Sequence, residues 1–468
     1  MVFGANPADG IQPHAQGGAA TARRPGAPGK EPSVHVYLGL DIGTTHVKAM
    51  AWSPQGLWAR ASRLTPWSGT HAHILDPDAI YHASIGVLLQ ALDGISPRAR
   101  AAAIGIAGMG EAGFYIDGAG RPYGPIVGWQ GVSQTTVLLA RLLRSYDAAA
   151  LFRRTGMSPD PKFGLLRMMA QRPEPGPRPR FWLQTAEWIG FRLTGSRATH
   201  ASLAARTMAY NLEAEHWDDE LLAWADVRRA MLPEVHRSAV SAGRVRAVSA
   251  RLDGAEAVVA GHDHGVAAYG AGLPDGALLN SSGTAETLVV HRSEPLWSDA
   301  ARELGVMWQP AVSDVPQVAG IFPTEGGGAA ELWARNVLAV NLECAMPHSS
   351  GHVAFRPHGF AVGRAAWQNI GPQTTADELY LAVLEGLAVH VDERATAVER
   401  VLGADFTQIL ATGGGWRHPW WPEVRRRCST RPFRLMSPTE GVLLGALSWA
   451  VTALGREARP RPTWEPAD

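Results

Sequence analysis

Only two cysteines, Cys344 and Cys428, stand in a chain of 468 residues. So few exclude a disulfide scaffold, and no CxxC pair offers a structural zinc or redox site. Net charge is missing as well, because 43 Lys and Arg balance 43 Asp and Glu. A neutral chain gives no electrostatic reason to expect nucleic acid or an anionic membrane as partner. No run approaches 18 consecutive apolar residues, which argues against a spanning helix. No secretory h-region stands near the start. A cytoplasmic protein is therefore the expectation. The GxxxxGK[ST] phosphate loop is absent too.

What is there points to a folded α/β protein. Hydrophobic residues make up 46% of the chain, ample for burial. The length exceeds one ordinary core and suggests two domains of roughly 200 residues each. Residues 1–33 are rich in Gly and Pro and show no period, so a disordered tail is expected there. Residues 34–250 and 251–456 are read as the two domains, and the Pro-rich residues 457–468 as a flexible C-terminus outside the fold.

Order begins where Val34, Val36, Leu38 and Leu40 alternate into a glycine turn, as a strand would. Strands are predicted over 35–43, 46–53 and 57–67, a helix from Asp76 through Leu92, and a buried strand over 101–110. Helices are predicted over 135–151, 162–172, 181–195 and 217–227. A second series starts at about 255, with a strand entering Gly261-His262-Asp263-His264-Gly265. It continues through a glycine turn between strands at 280–286, a long helix or helix pair over 374–401, and a strand ending in Gly413-Gly414-Gly415. Each half thus starts with a strand running into a glycine turn, which fits two similar domains facing a cleft.

Five groups of residues carry chemistry. Asp41-Ile42-Gly43-Thr44-Thr45, with Lys48 nearby, pairs a permissive glycine with hydroxyl donors, as a phosphate cradle needs. Asp41 would repel phosphate unless it held Mg²⁺ or its waters. The bland reading is a hairpin turn with solvated polar groups. Asn280-Ser281-Ser282-Gly283-Thr284 offers a similar set, and two such turns are mutually reinforcing. Asp263 stands at a strand end, where a carboxylate could take a proton from an alcohol. His262 and His264, alternating on a strand, would share one face; a histidine metal site and a plain surface loop are the alternatives. Gly414 and Gly415 could give a flat ring an open surface, or make only a tight turn. Met109 and Glu111 sit in a glycine turn after the strand 101–110, and Trp129 follows. Glu111 could bind substrate hydroxyls and Trp129 could stack on a sugar, or simply pack.

Together these motifs resemble the FGGY family of carbohydrate kinases, from about Val36 to Gly455. GLDIGTTHVKA resembles its first phosphate loop, GIAGMGEAG its sugar-contacting turn, and AGHDHGVAAYGAG the segment bearing its catalytic base. NSSGTAETLVV resembles the second phosphate loop and ATGGGWRHPWWPEVRRR the adenosine-binding turn. The resemblance implies two duplicated ribonuclease H-like domains of the actin-like ATPase fold around a central ATP and sugar cleft. It implies Asp263 as general base, and Met109, Glu111, Trp129, His262 and His264 as substrate contacts. Gly43, Thr44, Thr45, Lys48, Gly283, Thr284, Gly414 and Gly415 would hold ATP, and Asp41 would position Mg²⁺. The substrate would be a sugar or polyol, and a homodimer is a family-level expectation. The run Trp129-Gln130-Gly131-Val132-Ser133 departs from the family, which usually carries an Asp and an Arg after the Trp. Trp420-Trp421-Pro422-Glu423 also departs, with Pro422 expected in the first helical turn. Two other readings stand beside a ketose, deoxyketose or polyol kinase. One is a non-catalytic sugar or nucleotide regulator, and the other is an actin- or Hsp70-like ATPase. A less usual polyol or cyclitol is a further substrate class.

Overall fold

The computed structural model describes residues 34–68, 71–173, 180–325, 327–358, 363, 365–456 and 459–466. The expected tail at 1–33 lies outside them.

Two large sheets organise the chain. In the first, the strands His35–Ile42, His46–Trp52 and Trp58–Leu64 form an antiparallel meander. Arg100–Gly108 joins it in parallel, and Glu256–His262 joins that strand in parallel. The second sheet repeats the pattern. Leu278–Ser282, Glu286–Arg292 and Val318–Pro323 run antiparallel, then Ile409–Thr412 and Phe433–Ser437 add in parallel.

Alternation along the first strand sorts its side chains as a pleat requires. Val36, Leu38 and Leu40 join a core that includes Ile104 and Trp188. Tyr37 faces the opposite way, into a core with Val258, Leu443 and Leu447. That second face is covered by the last helix, Gly441–Ala453, and by Asp263–Ala271. The helix comes so close that a Cβ at Gly39 would sit 2.2 Å from Leu443 O, and one at Gly105 1.8 Å from Ala446 O. At the crossing of the two helices a Cβ at Gly445 would sit 2.0 Å from Val266 O. Several glycines therefore serve close backbone packing and not ligand binding.

The structure corrects several expectations. The boundary drawn at 250 cuts the first sheet, because Glu256–His262 completes it beside Arg100–Gly108. Its apolar run AVVA fits a fully buried parallel position, which either domain could have claimed by sequence. The C-terminal segment is not outside the fold: Thr463–Pro466 pairs antiparallel with Phe433–Ser437. The helix expected over 181–195 begins only at Thr185. Phe181–Gln184 is a strand paired with Gly113–Ile116, and Gln184 caps the helix reciprocally with Glu187. The helix over 135–151 is two, Ser133–Ser145 and Ala148–Thr155, separated where Asp147 accepts from Ala150 N at 2.9 Å. The strand over 57–67 ends at Leu64, and Trp67–Ser68 belongs to a separate five-stranded sheet, paired with His71–Leu75. The long helix is single, Ala376–Leu402, with a capping box at Thr375 and Gly403 at its C-cap. Pro422 does lie in the first turn of Trp421–Cys428. No helix among the described residues is long and apolar enough to cross a membrane.

Candidate active site at the glycine turns

The two phosphate-like turns meet. Asp41 ends the first strand, and Gly43–Thr45 turn the chain into the second strand, where Lys48 lies across from Asp41. The Thr45 hydroxyl hydrogen-bonds the Thr284 hydroxyl of the other turn. The amides of Gly43 and Gly283 close their own turns, at 3.1 Å to His46 O and 3.0 Å to Ala285 O. Thr44 is held by two indoles: Trp67 Nε1 donates to its carbonyl at 2.6 Å and Trp129 Nε1 to its Oγ1 at 3.1 Å. Trp129 is thus a brace for the turn. Met109 lies beneath, its sulfur 3.9 Å from Thr44 Oγ1.

Asp41 lies within electrostatic reach of Asp263. Burial pushes the Asp41 carboxyl up to about 7, with Lys48 opposing and Asp263 and Glu440 adding to the rise. Its Oδ1 is buried without a hydrogen-bond partner among the described residues. Lys48 Nζ stands 3.9 Å from Asp41 and 3.7 Å from Glu440. Glu440, just before the last helix, also gathers Arg60 and Arg417. Burial works against its charge, but the three cations outweigh it and hold the carboxyl below the usual range.

Asp263 is the first residue of a helix, not part of a strand, so the shared strand face expected for His262 and His264 does not arise. The rings still come together, with centroids 5.5 Å apart, because the chain turns between them. Asp263 Oδ1 accepts from His264 N at 2.7 Å and lies 3.2 Å from His262 Nε2. About a fifth of its side chain, 22%, remains open. Burial raises its carboxyl to about 7, with Glu111 adding and Arg206 and Lys48 opposing. Burial holds both histidines low, His264 at about 4, so both are neutral near pH 7. His264 Nδ1 is 3.0 Å from Ser281 Oγ and 3.1 Å from Thr287 Oγ1, and so reaches the second turn. Among the described residues no group of three His, Cys, Asp or Glu is gathered to hold a metal ion.

Glu111 takes a positive φ of 61° and is buried against Arg206. Arg206 is a site residue that the sequence reading missed. Its signal was a lone Arg in the small apolar run SLAARTMA. Gly110 makes room for it, since a Cβ there would lie 2.9 Å from Arg206 Cγ and 3.2 Å from His262 Cδ2. Glu440 was also missed.

Beside these groups a notch of about 290 Å³ is lined by Ser282, Gly327, Gly328, Gly414, Gly415 and Trp421. A Cβ at Gly415 would come within 2.4 Å of Ser282 Oγ, and Gly413 has φ of 110°. The triple glycine therefore packs on the second turn as well as opening the notch. Lys48 reaches it from the first domain, 3.8 Å from where a Gly414 Cβ would be.

Two α/β domains closing glycine turns on a shared polar cleft define a two-domain kinase fold. Residues 36–270 match the family model for the N-terminal domain of the FGGY family of carbohydrate kinases, and residues 329–454 match that for the C-terminal domain. The chain belongs to the FGGY family of carbohydrate kinases. It is 24% identical to L-fuculokinase of Salmonella typhi over 91% of this chain and 94% of that one. It is 30% identical to glycerol kinase of Thermus brockianus over 88% of each. Among solved structures, a xylulose kinase from Lactobacillus acidophilus superposes with a TM-score of 0.74 at 19% identity, covering 90% of each chain. A sugar kinase from Brucella ovis described as a xyloylose kinase gives 0.74 at 22%, covering 93% and 94%.

Proposed function

We propose that this protein transfers the γ-phosphoryl group of ATP to a primary hydroxyl of a ketose, deoxyketose or polyol, with Asp263 as general base. The observation that carries this reading is the placement of Asp263. It sits at a helix start, partly open, among neutral histidines and within electrostatic reach of Asp41 and Lys48. The repeated strand pairing of the two sheets is read as duplicated ribonuclease H-like domains.

In this mechanism the substrate hydroxyl gives its proton to Asp263 as its oxygen bonds to the γ-phosphorus. The bond from that phosphorus to the β–γ bridging oxygen breaks, and ADP leaves. Thr44, Thr45 and Thr284 hold the phosphates, with Lys48 offsetting their charge. Gly414 and Gly415 line the adenosine notch. Glu111, oriented by Arg206, binds substrate hydroxyls with Met109, His262 and His264. Trp129 contributes through Thr44.

The unpartnered Oδ1 of Asp41 fits a hard cation or one of its waters. Asp41 would hold Mg²⁺ there, and the ion would supply positive charge to offset that of the phosphates. A raised Asp41 pKa agrees with a site built to be completed by a cation.

The test is an ADP-release screen with Mg-ATP over pentuloses, hexuloses, tetritols, pentitols, hexitols and cyclitols, with products identified by mass and phosphorus NMR. Sugar-stimulated ADP release with a phosphomonoester product is expected. ATP turnover indifferent to every compound, and unchanged in Asp263→Asn, would sink the kinase reading.

A further inference from the structure

Glu440 holds cations from both large sheets at the edge of the notch. Gly413 N donates to Thr439 O at 2.7 Å and Gly441 N to Thr412 Oγ1 at 3.1 Å, which fixes Glu440 beside the triple glycine. Its side chain is 6% exposed. Lys48 Nζ approaches it at 3.7 Å and Arg60 Nη1 at 3.3 Å, and Lys48 is shared with Asp41 at 3.9 Å. Arg60 stands diagonal to Lys48 on paired strands of the first sheet, so the two share a face. Arg417 comes from the other side, in the turn that follows the strand Ile409–Thr412, and its Nη1 donates to Glu440 Oε1.

Two of these cations also stand at the notch. A Cβ at Gly414 would lie 3.3 Å from Arg417 Nη2 and 3.8 Å from Lys48 Nζ, so both positive heads converge on the bare face of that glycine. Gly414 and Arg417 themselves line the notch. The Arg417 side chain is 44% exposed, so a ligand in the notch reaches its guanidinium while the Glu440 carboxylate stays buried beneath. The notch's other carboxylate, Glu331, is taken by Tyr380 Oη at 2.5 Å and by Arg335 Nε at 3.4 Å. A guanidinium and an ammonium over a residue without a side chain offer a phosphate group charge, N–H donors and room. Lys48 and Arg417 are therefore held by a buried carboxylate and presented to the notch at the same time.

We infer that Arg417 is a phosphate-binding residue of this cleft and that Glu440 competes for it: the phosphates of a bound nucleotide draw Arg417 and Lys48 off the carboxylate, and Glu440 sets how tightly those phosphates are held. The carboxylate holds the phosphates' partners and repels the phosphates themselves, so loss of its charge strengthens phosphate binding. A residue that only propped the notch would weaken binding when altered. This inference rests on the kinase reading above for the identity of the ligand as a nucleotide, and on the Glu440 cluster for its phosphate preference.

The experiment titrates ADP calorimetrically, at one Mg²⁺ and one salt concentration, into the natural protein, Arg417→Gln and Glu440→Gln. Adenosine is read by competition against ADP. Arg417→Gln is expected to weaken ADP about 10-fold and adenosine by less than about 2-fold. Glu440→Gln is expected to tighten ADP about 5-fold or more and to leave adenosine within about 2-fold. An equal loss for ADP and adenosine in Arg417→Gln overturns the inference, because that is what a structural prop would give. So does ADP binding that Glu440→Gln leaves unchanged or weakens, and so does a natural protein that binds no ADP. Should Glu440→Gln not fold, the ADP-to-adenosine split in Arg417→Gln decides. That split, found in a protein that phosphorylates nothing in the ADP-release screen, keeps the inference and discards the kinase chemistry. Sugar-stimulated ADP release without the split discards the inference alone.

Discussion

Thr45 and Thr284 hydrogen-bond through their hydroxyls across 239 residues of sequence, and so tie the first glycine turn to the second. On the function proposed above, nucleotide phosphates would enter between these turns and part this contact. A double-mutant cycle with Thr45→Ala and Thr284→Ala is expected to show about 0.5–1.5 kcal/mol of coupling in thermal stability without nucleotide. The coupling should vanish with Mg-ADP bound. Coupling of equal size in both conditions would mean that the turns do not part for phosphate.

Asp263→Asn keeps the shape of the residue and removes its basicity. It is expected to lower kcat by about 10²–10⁴-fold. Affinity for Mg-ADP, read by calorimetry, should change by less than about 3-fold, because the notch proposed for the nucleotide is built from other residues.

The raised carboxyl of Asp263 makes both activity and stability depend on pH. Only the ionised form accepts a proton, so kcat/KM should climb as pH rises through about 7 and level off above it. Stability runs the other way. Unfolded, this Asp ionises near 3.8, so the native state loses this group's contribution as pH rises from there to about 7. Asp263→Asn should therefore melt higher than the natural protein at pH 8, by an amount on the order of 3 kcal/mol. The gain should shrink toward pH 5. A gain that is constant with pH would show that the carboxyl is not raised.

Behind the second glycine turn, Glu286 and Arg425 form an ion pair with both side chains 1% exposed. Arg425 also stacks over Trp421 at 4.2 Å, and Asn280 donates to Glu286 at 3.1 Å. Arg425→Met leaves the Glu286 carboxylate buried and unpaired. A loss of about 3–5 kcal/mol is expected in urea denaturation, with nucleotide binding weakened because the turn loses its floor.

Gly105 is filled by the backbone of the last helix. Gly105→Ala is expected to destabilise by about 1–3 kcal/mol or more, since backbone and not a flexible side chain must move. Gly124→Ala, where a Cβ meets nothing within 4 Å, should stay within about 0.5 kcal/mol. Differential scanning calorimetry of the pair distinguishes packing glycines from permissive ones.

The sequence by itself determined the local grammar. Alternation at Val36, Leu38 and Leu40 specified a strand, Asp76 before Pro77 a helix start, and the glycine turns their places at strand ends, because these follow from short-range sterics and hydrogen bonding. It also marked Asp41, Asp263 and the triple glycine as chemistry-bearing positions, and its motif order carried the family. Only the tertiary structure decided which sheet took the strand Glu256–His262, since a fully buried apolar run fits either. Only it seated Thr463–Pro466 on the second sheet, where exposed backbone pairing outweighed a Pro-rich composition. Arg206 beside Glu111, Glu440 gathering three cations, and Arg167 buried with its Nη2 unpaired among the described residues are likewise invisible along the chain. Charge pairing depends on distance in space and on burial, and residues 95 or 380 positions apart carry no mark in sequence of being neighbours.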